Sequence, residues 1–154
     1  MPYKQDILNA PDGEASFTGR MMGGCMDILE LFIGTEYDKV KEFNYKYKED
    51  GIIWFLECCD YNVFDMRRCL WHMEKAGWFE NVKGFIIGRP LHLDDEFDGF
   101  TPNDAFGDFL KKYNVPVIMN VDIGHVSPMM PVVTGAVANV KAHYNSLEIG
   151  YEFR

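Results

Sequence analysis

Two residues of this chain stand where chemistry can be done, Glu57 and His125. Glu57 follows the run Ile52-Ile53-Trp54-Phe55-Leu56, which has no polar alternation and so reads as a strand buried on both faces. His125 closes a second stretch of the same design, Val115–His125, where an apolar run ends on Gly124. Side chains at the ends of buried strands are held rigidly yet open into a crevice. A carboxylate and an imidazole delivered this way make a dyad. Glu57 would set the ring tautomer and stabilise its positive form, and His125 would act as general base. The partner such a dyad activates is not evident. Ser16 lies near the start, Ser127 is beside a proline, Ser146 is in a turn, and none sits in a G-x-S-x-G elbow. The Cys58 and Cys59 thiols adjoin Glu57, which raises rather than lowers a thiol pKa. His72, His92 and His143 read as structural or exposed.

Other groupings are weaker. Cys58, Cys59, Cys69 and His72 could form a metal site, with Cys69 and His72 one helical turn apart, but the paired-knuckle spacing of zinc sites is absent, and buried reduced thiols account for them as well. Gly23-Gly24 ahead of a helix could cradle an anion on backbone N–H groups, or could simply let the helix pack closely. The acidic segment Leu91–Gly99 lacks the register of a calcium loop and reads as solvated.

The elements that must position these groups follow from periodicity. Residues 1–16 show none and read as an arm or severed linker, leaving 17–154 as the domain. Phe17–Met22 is a short extended stretch into Gly23-Gly24, and Cys25–Ile33 carries a helical stripe closed by Gly34. Residues 35–50 are a charged, solvated connection with room for a helical turn. After the central strand, Asn62 with Asp65 suggests a capping box for a helix whose stripe is Met66, Cys69, Leu70, Met73 and Ala76, ended by Gly77. Val82–Gly88 is a second buried strand, so residues 52–88 form a strand–helix–strand unit with a parallel pair. A helix over 102–113 has Thr101 as N-cap and Pro102 at its first position. Val117–Val121 is the third buried strand. Two closing strands, 132–143 and 147–153, flank a turn at Tyr144-Asn145-Ser146. The fold class is α/β, a small parallel sheet with crossover helices and an antiparallel C-terminal hairpin layer.

With 154 residues the chain is one ordinary domain, and at 47% hydrophobic and 15% aromatic it has ample core. A net charge of −9 argues against a nucleic-acid partner, which needs a basic face. Apolar runs of five or six residues cannot span a membrane. The opening Met-Pro-Tyr-Lys-Gln-Asp does not read as a signal peptide, which points to the cytoplasm.

A set of motifs in order carries a family resemblance. They are Gly19–Leu29, Gly34-Thr35, Trp54-Phe55-Leu56-Glu57, Leu70–Phe79, Gly84–Pro90 and Val121-Asp122-Ile123-Gly124-His125. From about Phe17 to Phe153 the chain resembles the C-terminal half of the LD-carboxypeptidase family of serine peptidases, most like the branch that contains the microcin C immunity carboxypeptidase. The Gly23-Gly24-Cys25 sequence, where murein-recycling members usually read Gly-Gly-Asn, favours that branch. The resemblance implies a swivelling β/β/α domain and two-domain cytoplasmic enzymes, often homodimers, that use neither metal nor cofactor. It also implies a Ser–Glu–His triad in which Glu57 is the orienting acid and His125 the general base. The serine belongs to an N-terminal Rossmann-like domain that these residues do not include, as in a truncated or naturally split protein. The implied substrates are a murein L,D-peptide or a peptidyl nucleotide. This chain alone is then expected to be inactive, with no nucleophile of its own. The other reading is a non-catalytic ligand-binding or interaction domain that keeps only the fold.

Overall fold

The computed structural model describes residues 5–92, 94–144 and 146–154. Seven strands form one mixed sheet in the order β1-β5-β4-β3-β2-β6-β7. They are β1 (Asp6–Leu8), β2 (Glu14–Cys25), β3 (Ile52–Glu57), β4 (Val82–Gly88), β5 (Val117–Val121), β6 (Val137–His143) and β7 (Ser146–Glu152). The helices are α1 (Met26–Leu29), α2 (Val40–Lys46), α3 (Val63–Lys75) and α4 (Pro102–Leu110). β2, β3, β4 and β5 run parallel, while β1, β6 and β7 pair antiparallel. The expected strand–helix–strand unit is β3–α3–β4.

β2 organises the sheet. Its first half pairs antiparallel with β6 from Glu14 to Arg20, and its second half pairs parallel with β3 from Arg20 to Cys25. Changing partners at Arg20 curls the hairpin β6–β7 over one face of the parallel strands. Ile53, Phe55, Ile86 and Ile118 pack there against Ala138, Val140, Leu147 and Ile149. On the opposite face Trp54, Leu56, Phe85 and Ile87 meet Met66, Leu70 and Met73 of α3 and Phe106 and Leu110 of α4. Both faces of β3 are therefore dry, which is why its sequence shows no alternation. Trp54 stacks on Trp78 with ring centroids 5.7 Å apart and donates its indole N–H to the Trp78 carbonyl at 3.2 Å, satisfying its one polar atom in the core.

Several local expectations are revised. Residues 5–16 are not a free arm. β1 pairs with β5, and β2 is already under way at Glu14, with Ala15 buried. Short strands whose exposed faces are polar carry too little periodicity to be seen. The strand also runs through Gly23-Gly24 to Cys25, so the glycines lie in β2 beside β3 and not in a loop ahead of a helix. At Gly23 (φ +151°) the backbone lies so close to the Phe55 carbonyl that any Cβ would collide with it, which is the reason for glycine there. The helix expected over Cys25–Ile33 forms as one α-turn, Met26–Leu29, continued by a 3-10 turn, Glu30–Phe32; Met26, Leu29 and Ile33 pack on the core while Ile28, Leu31 and Phe32 face outward. The connection after it contains two turns of helix, α2. In α3 the Asn62 side chain accepts from the Phe64 and Asp65 amides, whereas Asp65 pairs with Arg68, so only the N-cap half of the box forms. The full box is at Thr101 and Asp104, and α4 ends at Leu110 with a 3-10 turn beyond. Of the closing strands, the first begins only at Val137, and the turn between them includes Asn145, outside the described residues. Among the described residues no helix is long and apolar enough to cross a membrane.

Candidate active site

Parallel pairing places the C-terminal ends of β2, β3, β4 and β5 at one edge of the sheet, where open α/β sheets bind ligands. Glu57 is the last residue of β3 and its side chain is only 7% exposed. β5 ends at Val121, and residues 122–125 turn back over that edge to bring His125 onto Glu57. The ring Nδ1 lies 2.8 Å from Glu57 Oε2. With the carboxylate ionised, Nδ1 carries the proton and donates it, leaving Nε2 with the lone pair a base uses. The His125 side chain is 46% exposed, so the acid is buried and the ring reaches solvent. Gly124 makes this approach possible. Its φ is +107°, and a Cβ built there would stand 2.7 Å from Glu57 Oε2 and 3.0 Å from its Cβ.

Two charged residues hold these loops in place, and neither stood out in the sequence as a site residue. Arg89, buried just past β4, pairs with Asp122 at 2.7 Å and donates to the carbonyls of Val126 and Pro128 at 3.2 and 3.0 Å. It thus clasps the segment carrying His125 from both sides. A lone arginine directly after a buried strand was the available signal. Asp27 accepts from the amides of Cys59 at 3.0 Å and Asp60 at 2.8 Å, fixing the chain as it leaves Glu57. Burial pushes its carboxyl upward, but those amides outweigh it and hold its pKa below the usual value.

Cys25 is the third side chain at this edge. It ends β2 directly opposite Glu57 in the parallel register, and its Sγ, a Glu57 oxygen and a His125 ring nitrogen all lie within 4.8 Å of one another. Burial, and then the Glu57 charge, push the thiol up to about 12. The sequence reading assigned Cys25 to a helix and so missed it. Once β2 is seen to pair with β3, the position follows from the register.

The other candidates disperse. Cys69 Sγ faces the Met26 carbonyl and His72 pairs with Glu30 at 3.0 Å, so these two do not join Cys58 and Cys59 around an ion. The thiols of Cys58 and Cys59 are shifted upward, foremost by burial and also by nearby carboxylates. Ser16 and Ser146 lie in the antiparallel half of the sheet, and among the described residues no serine hydroxyl bonds the His125 ring. His143 pairs with Glu14. Beside the dyad, Arg89, Leu91, His92, Asp95 and Val126 line a pocket of about 200 Å³.

The family model described as the LD-carboxypeptidase C-terminal domain matches residues 18–140. A search of curated proteins finds no match. Among solved structures the chain is similar to a muramoyltetrapeptide carboxypeptidase from Oxalobacter formigenes, at TM-score 0.71 and 15% identity, covering 98% of this chain and 50% of that one. It is also similar to an MccF-like protein from Streptococcus pneumoniae in complex with AMP (TM-score 0.61, 23% identity, 96% and 43% covered). MccF in complex with glutamyl sulfamoyl guanosine gives TM-score 0.74 at 19% identity, with 97% and 41% covered. At these identities the likeness is one of fold. The chain spans half or less of the length of each.

Proposed function

The chain belongs to the LD-carboxypeptidase C-terminal domain family, and from that premise we propose that it supplies the acid and base of a serine carboxypeptidase. In this reading His125 Nε2 takes the proton of a serine hydroxyl carried by a Rossmann-like domain outside these 154 residues. The serine oxygen attacks the substrate carbonyl, and the protonated ring returns its proton to the leaving amine. Glu57 holds the ring in the required tautomer and faces the imidazolium as it forms. The observation that carries the proposal is the 2.8 Å bond between a buried carboxylate and a half-exposed ring at the shared end of parallel strands. The substrate is an amide in a murein L,D-peptide or in a peptidyl nucleotide. Gly23-Gly24-Cys25 supports the second. The four free thiols agree with a reducing compartment such as the cytoplasm, and the family resemblance extends to a homodimer.

The test is complementation. The chain is mixed with, or fused to, a serine-bearing N-terminal domain of the family, and release of product from an L,D-tetrapeptide and from an aminoacyl sulfamoyl nucleotide is followed. Hydrolysis that appears only in the combination and is lost with His125→Ala supports the proposal. An assembled but inactive pair would favour a domain that keeps the fold for binding alone.

A further inference from the structure

The dyad and Cys25 together have the composition of a metal centre. We propose that Cys25, Glu57 and His125 form a three-ligand site for a soft divalent cation of the zinc type, at the open edge of the sheet. Two donors end β2 and β3 and the third lies in the loop after β5, and the β2–β3 register and the Gly124 approach bring them within 4.8 Å of one another. A tetrahedral zinc, bonded at about 2.0–2.3 Å, needs its ligand atoms about 3.3–3.8 Å apart. One thiolate, one imidazole and one carboxylate are the donor types zinc and cobalt accept, and thiolate disfavours the hard cations magnesium and calcium. Two of the three donor residues are at least partly shielded, while the exposed ring leaves a way in and a fourth position for water or a ligand.

Binding forms a metal–sulfur bond as the Cys25 S–H proton leaves to solvent. The Nδ1–H···O bond to Glu57 opens or turns so that one ring nitrogen offers its lone pair. A ring engaged by metal has no lone pair for a serine proton. That consequence rests on the catalytic reading given above, whereas the metal site does not.

The test is a Co²⁺ titration of the 154-residue chain under reducing conditions, followed by displacement with Zn²⁺. A one-to-one rise of thiolate-to-cobalt charge-transfer absorption in the near ultraviolet, bleached by Zn²⁺, is expected. Cys25→Ser should abolish the band, and His125→Gln should weaken Zn²⁺ binding at least tenfold. Cys59→Ser should change neither. A titration without a thiolate band overturns the site, as does a band lost in Cys59→Ser. Unchanged Zn²⁺ affinity in His125→Gln also overturns it, and because that ring is half exposed, the variant tests the site even if Cys25→Ser fails to fold. All these readouts are independent of peptidase activity.

Discussion

Replacing Gly124 with alanine tests whether the Glu57–His125 geometry is built by close backbone approach. Two costs add. A non-glycine residue at φ +107° is in a sparsely populated region, costing about 1–3 kcal/mol. The new methyl would also stand 2.7 Å from Glu57 Oε2, 3.0 Å from its Cβ and 3.1 Å from its Cδ. The carboxylate is buried in a packed strand end and has to move off the ring, giving up a charge-assisted bond whose half-exposed partner limits the loss to about 1–2 kcal/mol. The sum is about 2–5 kcal/mol, or roughly 4–20 °C in Tm for a chain of this size. Gly99→Ala is the control, since Gly99 also has positive φ (+79°) but nothing within 4 Å of its would-be Cβ. It carries the backbone cost alone. Thermal and urea unfolding of both variants give the difference, and the nitrogen resonances of the His125 ring report whether Nδ1 keeps its proton and its acceptor. Equal destabilisation of the two variants, with an unchanged ring spectrum, would refute the reasoning.

Three further outcomes are expected. Arg89→Met leaves Asp122 and two loop carbonyls without their donor; because Asp122 is half exposed, the cost is about 1–3 kcal/mol, and amide exchange should quicken in residues 122–130 before it does in β3 or β4. Asp27→Asn should destabilise at neutral pH and progressively less in acid. The native carboxyl binds its proton below the usual 3.8, so its contribution is complete above that value and lost as pH falls through the native one; urea midpoints of the two proteins should converge as pH falls below 3.8, and a constant gap would contradict this. With its pKa near 12, Cys25 is about one part in ten thousand thiolate at pH 8. A disulfide reagent should label it more than a hundredfold more slowly in the folded chain than in urea, despite its partial exposure. Comparable rates would show that the thiol is not held protonated.

Glu57 was legible because it ends an uninterrupted apolar run, which has few solutions besides a strand buried on both faces, and His125 because it follows Gly124 at the end of the mainly apolar stretch from Val115. The same signal located β3, β4 and β5, and the 3.6-residue stripe with its Asn62 cap located α3. β1 and the start of β2, residues 14–16, were not legible. Their residues alternate weakly, and their stability comes from partners more than a hundred residues away, β5 and β6. The helix read over Cys25–Ile33 formed, but only its first turn is α-helical. Met26, Leu29 and Ile33 of its stripe reach the core, but Ile28, Leu31 and Phe32 stay exposed, and the second half tightens into a 3-10 turn.

By itself, then, the sequence determined which strands lie at the centre, where the chain stops being apolar, and that an acid and an imidazole stand at those stops. These are local facts, set by side-chain burial over five or six residues. Only the tertiary structure decided that the two side chains meet at 2.8 Å, that Cys25 joins them, and that Arg89 and Asp27 hold their loops. Each depends on strand register and loop path between segments 30 to 70 or so residues apart. A shift of one residue in β2 against β3 would turn Cys25 to the other face of the sheet while leaving every local preference satisfied.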